Sequence, residues 1–461
     1  MSAVSSVLDT IDRQFDDSLQ RLFSLLRIKS ISTDPAFKPE CRKAAEWLAD
    51  DLKSIGFDAS VRDTEGHPMV VGHHEGPNDD APHLLFYGHY DVQPVDPLEL
   101  WVDDPFDPAV KEVDGVRVIT GRGSSDDKGQ LMTFVEACRA YKAVNGAPPC
   151  KITVLFEGEE ESGSPSLHPF LKANADELKA DFAMVCDTGM WDAETPAICT
   201  GLRGLTGEEI TIHAADRDLH SGMYGGAAAN PIRILAKILA DMHDETGRVT
   251  IPGFYDGVEE TPAQLKQSWE NLGMTAEKFL GEVGLSMPAG EKGRSVLELV
   301  WARPTAEFNG ISGGYEGDGF KTVIASKASA KISFRLVHQQ DPEKIRAAFR
   351  AFVKERVPGD CRVEFQKHGG GPALQMPFDS PLLQKAKSAL ADEWNKPALT
   401  IAMGGSIPIV GDFKTMLGME SLLVGFGLDD DRIHSPNEKY NVTSFHKGQR
   451  SWARILDAVS K

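Results

Sequence analysis

The sequence predicts an α/β protein: a mainly parallel sheet with helices on both faces, and a second, α+β segment inserted into it. Three observations indicate this class. Strand-length apolar runs alternate with helix-length segments up to about residue 200. The pattern changes at residue 201, where glycines become frequent, and returns at residue 381. The 461 residues also exceed what one ordinary core needs.

The first part of the chain carries the alternation. Apolar residues at helical spacing predict helices over 3–28 and 44–55, the second ending at Gly56. The elements that follow are predicted as strands at 84–87, 151–156 and 181–186, and helices at 129–144 and 166–173. Ligands of such sheets bind beyond the carboxyl ends of the strands.

The inserted part, 201–380, is predicted to form a second domain with its own sheet. Its elements are a helix at 230–243, an irregular stretch rich in Gly and Pro at 244–320, a strand-like segment at 322–337, a helix at 342–353 and a strand at 362–367. A helix at 381–394, a strand at 421–425 and a helix at 443–459 then return to the first pattern. The insertion is therefore flanked by two halves of one domain, 1–200 and 381–461.

The net charge and the cysteines indicate which partners and which cellular compartment to expect. With 69 acidic against 49 basic residues, the net charge of −20 disfavours nucleic acid and anionic membranes as partners. The six cysteines form no Cys-x-x-Cys pair and are predicted to be buried thiols of a reducing compartment. No signal peptide or membrane-length apolar segment is found, so a cytoplasmic location is expected.

Residues 88–94 bring an imidazole and a carboxylate to the end of a predicted strand. His89 and Asp91 stand two positions apart and therefore on one face. They could hold a metal, with Asp91 accepting the second ring N–H of His89 and fixing its tautomer. The alternative is a pair of ordinary surface polar residues.

A glycine-rich stretch at 121–129 precedes the predicted helix at 129–144. Its glycines could suggest a phosphate loop, but Asp126 and Asp127 would repel phosphate, and no Gly-Lys-Ser/Thr ending follows. A carboxylate here is better suited to a cation. The alternative is that Asp126 only caps the helix.

Four acids within five positions directly follow the strand at 151–156: Glu157, Glu159, Glu160 and Glu161. Such a run usually forms a solvated loop. At the end of a buried parallel strand, however, like charges are costly without a cation. One glutamate could bind a metal while its neighbour acts as a general base.

Two more polar residues complete the set. Asp187 ends the apolar run 182–186, and His434 lies in the polar stretch 431–438. Together, the five stretches supply two imidazoles and several carboxylates, a mixture suited to zinc, manganese or cobalt. More acids than one divalent ion needs indicate two ions.

Five motifs in this order resemble those of the dinuclear zinc peptidases and deacylases, a family that includes carnosine dipeptidases, aminoacylases, acetylornithine deacetylase and succinyl-diaminopimelate desuccinylase. The resemblance covers essentially the whole chain and is strongest to the carnosine- and cysteinylglycine-type dipeptidases. The motifs are GHYDVQP at 88–94, SDDKG at 125–129, EESGS at 160–164, DLHSG at 218–222 and HSPNEK at 434–439.

The resemblance implies a set of metal ligands. One ion is expected on His89, Asp126 and Asp187. The other is expected on Asp126, Glu161 and His434, so that Asp126 bridges the two ions. Zinc is the expected metal, with manganese or cobalt as alternatives.

The resemblance also assigns Asp91 to orient His89, and Glu160 to act as the general base. Glu160 and Glu161 are the pair directly before the Ser-Gly-Ser of the motif, and Glu159 is then an extra acid. A shift of this pair by one residue is the alternative.

Further roles are implied in the inserted domain and near residue 405. His220 is expected to stabilise the oxyanion in the active site of the neighbouring subunit, which implies a homodimer. Arg335 is expected to bind the terminal carboxylate of the substrate, with further contacts from Gly405, Ser406 and His368. The alternatives are a solvent-facing strand residue for Arg335 and an ordinary turn for Gly405 and Ser406.

These assignments imply a catalytic dinuclear-metal domain of residues 1–200 and 381–461, and a lid and dimerisation domain of 201–380. The expected reaction is hydrolysis of the amide bond of a dipeptide, or a similar small substrate with a free C-terminal carboxylate, by a metal-bridging water that Glu160 deprotonates. One alternative is an N-acyl-amino-acid deacylase with the same metals and base. Another is an inactive metal-binding protein on this scaffold, which retention of every ligand and the base disfavours.

Overall fold

The computed structural model describes residues 3–281, 283–377, 379–404 and 408–461. The chain divides into two compact units. The first comprises Met1–Thr200, Met376–Ile401 and Asp412–Lys461, and the second comprises Gly201–Gln375 and Ala402–Gly411.

The boundaries of the units differ from the predicted division in two places. The first unit resumes at Met376 rather than at 381, because the Met376 amide already donates to the Thr200 carbonyl at 2.8 Å. Residues 402–411, predicted to lie in the first domain, belong to the second unit, where the Gly404 carbonyl accepts from Arg203 at 3.1 Å. Neither segment carries a sequence pattern that assigns it to its unit.

The strands and helices are numbered here in chain order. The strands are β1 Asp58–Arg62, β2 Met69–His74, β3 His83–His89, β4 Ala109–Val113, β5 Val116–Thr120, β6 Lys151–Glu157, β7 Phe182–Val185, β8 Ala197–Leu202, β9 Gly204–His213, β10 Leu219–His220, β11 Thr305–Gly313, β12 Val323–Ile324, β13 Lys327–Leu336, β14 Arg362–Gly371, β15 Leu374–Gln375, β16 Leu399–Met403, β17 Glu420–Leu423 and β18 Lys439–Asn441. The helices are α1 Ala3–Arg13, α2 Phe15–Leu26, α3 Lys38–Ser54, α4 Lys128–Asn145, α5 Leu167–Ala173, α6 Ala175–Leu178, α7 Ser221–Tyr224, α8 Pro231–Ala240, α9 Ala263–Glu270, α10 Ala276–Gly281, α11 Val296–Trp301, α12 Pro342–Lys354, α13 Pro381–Trp394, α14 Pro408–Met416 and α15 Val442–Val459.

The main sheet of the first unit is parallel at its centre. The four strands β6, β3, β7 and β17 lie side by side and parallel, whereas β2 joins β6 and β8 joins β17 in the antiparallel sense. The prediction of a mainly parallel sheet is therefore confirmed for its centre. Because the parallel strands end at the same edge, the polar residues that follow them meet there.

Helices cover both faces of this sheet. Consecutive strand residues point to opposite faces. On β3, the ring of Phe86 stacks on Phe134 of α4 with centroids 3.7 Å apart, and contacts Trp452 of α15 edge-on at 5.4 Å. The next residue, Tyr87, instead contacts Phe413 of α14 at 6.0 Å. The apolar run predicted as a strand is thus buried from both sides.

The second unit has its own antiparallel sheet, in the order β11-β13-β9-β14. Its core combines strand residues such as Ile210 and Ile332 with Leu235 of α8 and Phe349 of α12. Glu208 on β9 is 1% exposed and pairs with two arginines of α12, which fixes that helix on the sheet.

Three predictions of elements are corrected. The stretch 244–320, expected to be irregular, contains α9, α10, α11 and β11, whose helices of six to eight residues are too short to give a clear period. The helix expected over 3–28 is two helices, α1 and α2, which meet at Gln14. The strand expected over 322–337 is β12 and β13. In the part of the chain that the structure describes, no helix is both long and apolar enough to cross a membrane.

Candidate metal centre

The polar residues of three motifs meet at the carboxyl edge of the parallel strands. His89 ends β3 and lies opposite Glu157, the last residue of β6. Asp187 follows β7, the neighbour of β3 on its other side. The side chain of His89 is fully buried, so the convergence takes place inside the protein.

Two overlapping sets of side chains form at this edge. In each set, one potential ligand atom per residue lies within 4.8 Å of the others; the sets are His89, Asp126 and Asp187, and Asp126, Glu161 and His434. Asp126 belongs to both. Its Oδ1 lies 3.0 Å from Nε2 of His89, and its Oδ2 lies 2.9 Å from Nε2 of His434. The carboxylate thus presents one oxygen to each set, which suits a bridging ligand.

The charges of the cluster depend strongly on one another. Burial alone would raise the pKa of Asp126, but hydrogen bonds with His434 and His89 outweigh it, so that the pKa is lowered. The hydrogen bond with Asp126 is the largest cause that raises the pKa of His434, to about 10. Burial and then the Asp126 charge raise the pKa of Asp187 well above its usual value. The carboxylates therefore need positive charge nearby, which a protonated imidazole or a divalent cation supplies.

Asp91 ties His89 to the glutamate run. Its main-chain oxygen lies 3.1 Å from Nδ1 of His89, and its Oδ1 lies 3.4 Å from the same nitrogen. The two carboxylate oxygens accept the amide N–H groups of Glu160 and Glu161 at 3.2 and 3.0 Å. Asp91 is fully buried and therefore orients both the imidazole and the acidic turn.

The three consecutive glutamates have three different environments. Glu159 is 2% exposed, and its oxygens accept the amides of His67 at 2.7 Å and Ser166 at 2.9 Å. Glu161 lies 3.0 Å from Nε2 of His434. Glu160 opens a short 3₁₀ turn, and burial raises the pKa of its side chain. Of these three glutamates, only Glu159 has a carboxylate that accepts main-chain amide N–H groups of the described residues.

No role was predicted for Glu438 from the sequence, although it lies in the motif at 434–439. This carboxylate is fully buried and accepts the amide N–H groups of Gly123, Ser125 and Asp126 at 2.9 to 3.1 Å. A second missed residue is Gln93, whose Nε2 donates to Oε2 of Glu161 at 2.7 Å. The sequence feature that could have identified Glu438 and Gln93 is that each lies in a motif with a candidate ligand.

The other predicted site residues belong to the second unit or lie outside the described residues. His220 ends β10, and its Nδ1 accepts the Gly222 amide at 3.0 Å. Arg335 lies on β13 and lines a cavity of about 660 Å³ together with Arg203. His368 lies on β14, with Nε2 3.6 Å from a carboxylate oxygen of Glu209. Gly405 and Ser406 are outside the described residues.

Imidazoles and carboxylates converge at the carboxyl edge of a parallel sheet, beside the half-buried Glu160. This arrangement is typical of the metal-dependent hydrolases of α/β fold. A comparison with protein families gives the family within that class. The model of Peptidase family M20/M25/M40 matches residues 85–458. The chain belongs to this family and is a hydrolase that acts on peptide bonds. The family implies a divalent metal, and the five side chains of the two sets are the candidate ligands.

Two metallo-dipeptidase relatives are similar to this protein over nearly the whole chain. It is 31% identical to the Cys-Gly metallodipeptidase DUG1 of Candida albicans, over 99% of this chain and 97% of that one. It is 27% identical to the Beta-Ala-His dipeptidase of Homo sapiens, over 98% and 92%. The predicted resemblance to the carnosine- and cysteinylglycine-type branch is confirmed.

Solved structures agree with this relationship. The di-peptidase Dug1p of Saccharomyces cerevisiae superimposes with a TM-score of 0.78 at 27% identity, covering 100% of this chain and 99% of that one. Human carnosine dipeptidase 1 gives a TM-score of 0.76 at 26% identity, with the same coverage.

Proposed function

We propose that this protein is a dipeptidase that uses two divalent metal ions to cleave small peptides with a free C-terminal carboxylate. The observation that carries the proposal is the pair of ligand sets that share Asp126 beside Glu160. Relatives named as Cys-Gly and Beta-Ala-His dipeptidases, similar over nearly the whole chain, support the substrate class.

The donor atoms fit two hard or borderline divalent ions. Each set offers one imidazole nitrogen and two carboxylates, the mixture typical of zinc, with manganese and cobalt compatible. When bound, the two ions supply the charge that lowers the pKa of water toward neutrality and polarises the scissile carbonyl. His89, Asp126 and Asp187 would hold one, and Asp126, Glu161 and His434 the other.

Glu160 is assigned the proton transfers. Its carboxylate accepts the proton of the attacking water and returns it to the leaving amine. Burial raises the pKa of Glu160, which brings the group closer to a working pH near neutrality. The contacts of Glu159 and Glu161 support this register, because one is held by main-chain amides and the other faces His434.

Substrate recognition is assigned to the second unit. The cavity that holds Arg335 also holds Arg203, and burial and the charge of Arg335 lower the pKa of Arg203 to about 10. Two nearby guanidinium groups favour a carboxylate ligand. His220, Gly405, Ser406 and His368 keep the roles predicted for them: the oxyanion contact for the first, and substrate contacts for the others.

A homodimer is part of the proposal, with His220 serving the site of the neighbouring subunit. Strand β11 is one of the two outer strands of its sheet, and its Ile311 is 65% exposed. Two more large apolar side chains of the same unit, Met223 and Phe320, are 75% and 91% exposed. An outer strand and exposed apolar side chains are features of surfaces that bind a second copy. A cytoplasmic location also remains part of the proposal, supported by six cysteine thiols, five of them buried.

The second candidate function is an N-acyl-amino-acid deacylase, because its metals and base would be the same. A panel of dipeptides against N-acetyl and N-succinyl amino acids separates the two, with kcat/KM as the measure. We expect dipeptides, including Cys-Gly and β-Ala-His, to be preferred. A preference for acyl-amino acids would transfer the proposal to the deacylase.

The test of mechanism compares Glu160→Gln with Glu161→Gln. Glu160→Gln should keep both ions and lower kcat by about a thousandfold, because only the proton transfer is lost. Glu161→Gln should instead lose metal, as measured by elemental analysis of the purified protein. A Glu160→Gln variant with near-normal turnover would remove Glu160 from the mechanism, and a wild-type protein that neither binds nor needs divalent ions would contradict the proposed function.

A further inference from the structure

Glu438 is a buried carboxylate whose two oxygens both carry two hydrogen bonds. Its Oε1 accepts the amides of Ser125 at 2.9 Å and Asp126 at 3.1 Å. Its Oε2 accepts the amide of Gly123 at 2.9 Å and Nη1 of Arg122 at 2.8 Å. Glu438 is fully buried and Arg122 is 2% exposed, so solvent does not weaken these contacts.

The four donors lie on the segment that ends at the shared ligand. Residues 122–126 are a loop before α4. Besides the contacts with Glu438, the Arg122 amide donates to the Pro105 carbonyl at 2.8 Å, and the Gly123 carbonyl accepts the Gly129 amide at 3.2 Å. The Asp126 amide is itself one of the donors to Glu438. The position of the Asp126 carboxylate, which offers one oxygen to each set of ligands, therefore depends on Glu438.

A second contact joins the same two segments on the other side of His434. Oδ2 of Asp431 accepts the Ser125 hydroxyl at 2.7 Å, and Asp431 is fully buried. Asp431 precedes His434 by three residues and Glu438 follows it by four. The segment that carries His434 is thus attached at both of its ends to the loop that carries Asp126.

We propose that Glu438 is a positioning residue that sets the spacing between Asp126 and His434, and through it the affinity for the divalent ion that these two residues share. The inference rests on the proposed function, since it assumes that both residues are ligands. A carboxylate is required at this position because both oxygens act as acceptors. A glutamine side chain keeps only one acceptor oxygen. In place of the other oxygen it has an NH2 group, which would face the N–H donors that the carboxylate now accepts.

The test compares Glu438→Gln with wild type by titrating each metal-free protein with Mn²⁺ and Zn²⁺ in competition with a chelator. We expect the affinity of at least one ion to fall tenfold or more, as for other partners that orient metal ligands. At saturating Mn²⁺, kcat should return to within a few-fold of wild type, because Glu438 takes no part in the reaction. Wild-type affinity in Glu438→Gln would overturn the proposal.

Glu393→Gln is the matched control. Glu393 is 6% exposed and binds Nε of Arg450 at 2.6 Å and Nε of Arg454 at 2.8 Å, so its loss also breaks a buried ion pair of the first unit. The control should lower the melting temperature and leave both ion affinities at the wild-type value. If Glu393→Gln lowers the ion affinity as much as Glu438→Gln does, the effect of Glu438 is one of general stability, and its positioning role is overturned.

Glu438→Asp provides the same test if the Gln variant does not fold. It keeps the charge next to Arg122, but its side chain is shorter by one methylene and cannot reach all four donors. We expect weaker ion binding in this variant as well, and wild-type affinity would overturn the proposal. A wild-type protein that binds neither Mn²⁺ nor Zn²⁺ would contradict the proposed function itself, whereas normal wild-type binding with unchanged variants contradicts only the role of Glu438.

Discussion

Asp91 shows how one buried carboxylate serves two parts of the site. Its contacts with Nδ1 of His89 fix the imidazole, and its carboxylate holds the amides of Glu160 and Glu161. The position of a proposed ligand and the position of the proposed base therefore depend on the same side chain. Substitution here should affect binding and chemistry together.

Asp91→Ala should weaken metal binding by about ten- to a hundredfold and should also lower kcat at saturating metal, because the turn that carries Glu160 loses its anchor. His89→Ala should instead remove one ion from the purified protein. Elemental analysis and a chelator titration give the metal content and affinity of each variant. Equal and complete loss of one ion in both variants would mean that Asp91 is itself a ligand.

The residues alone predicted that imidazoles and carboxylates would converge at the strand ends, and the resemblance to the family supplied the full set of ligands. All five candidate ligands lie in the two sets. His89, Glu161 and Asp187 lie at or after the ends of strands of the parallel sheet, which end at a common edge. Asp126 and His434 do not directly follow a strand of that sheet, and the resemblance to the family gave their place among the ligands.

The division of roles among Glu159, Glu160 and Glu161 could not be derived from the residues, since three identical side chains carry no information about the turn that orients them. The burial of Glu438 likewise depends on a contact with residues more than 300 positions earlier.

At the scale of elements, the second unit depends on a buried charge between α12 and β9. Oε1 and Oε2 of Glu208 accept Nη2 and Nε of Arg350 at 2.8 and 2.9 Å, and Oε2 lies 3.3 Å from Nη1 of Arg346. Glu208 is 1% exposed. Removing its charge takes away the carboxylate that the buried Arg346 and the partly exposed Arg350 share.

Glu208→Gln should therefore lower the free energy of unfolding by about 3 kcal/mol, as is usual when one partner of a buried ion pair is lost. Urea denaturation followed by circular dichroism measures the change. Glu364→Gln on β14 is the matched control, because the pair of Glu364 with His213 is exposed, and its stability should stay close to wild type. Similar losses in both variants would contradict the importance of burial.

The elements that could be predicted are helices whose apolar residues keep helical spacing over many residues, and strands that consist of an apolar run. Helix α4 was expected at 129–144 and spans Lys128–Asn145, and α12 was expected at 342–353 and spans Pro342–Lys354. The hairpin of β4 and β5 was missed because its strands are only partly buried and lack an apolar run. Strands of that kind form through pairing with distant neighbours, which a local pattern does not record.

At the scale of the whole molecule, the proposed homodimer predicts complementation between two inactive variants. Glu160→Gln and His220→Ala should each lose activity alone. When they are mixed under conditions that exchange subunits, half of the dimers are mixed, and one of their two sites combines an intact Glu160 with an intact His220. About a quarter of wild-type activity should return.

The control for this experiment mixes Glu160→Gln with Glu161→Gln. Glu160 and Glu161 of one subunit serve the same site. Each site of a mixed dimer therefore lacks one of the two glutamates, and no activity should return. Light scattering establishes that the proteins are dimers. Mixed dimers of the first pair without recovered activity would contradict the role of His220 in the neighbouring subunit.

Strand β17 is made late in synthesis but lies inside the main sheet, which affects how an unfinished chain is recognised in the cell. It is formed by Glu420–Leu423, yet it lies inside the sheet, paired with β7 on one side and β8 on the other. A polypeptide interrupted before residue 420 would leave two strands of the sheet without their neighbour, and it would also lack His434. Unpaired strands attract proteases and chaperones. An unfinished chain is therefore expected to be recognised as incomplete before it contains all the residues of the proposed metal site.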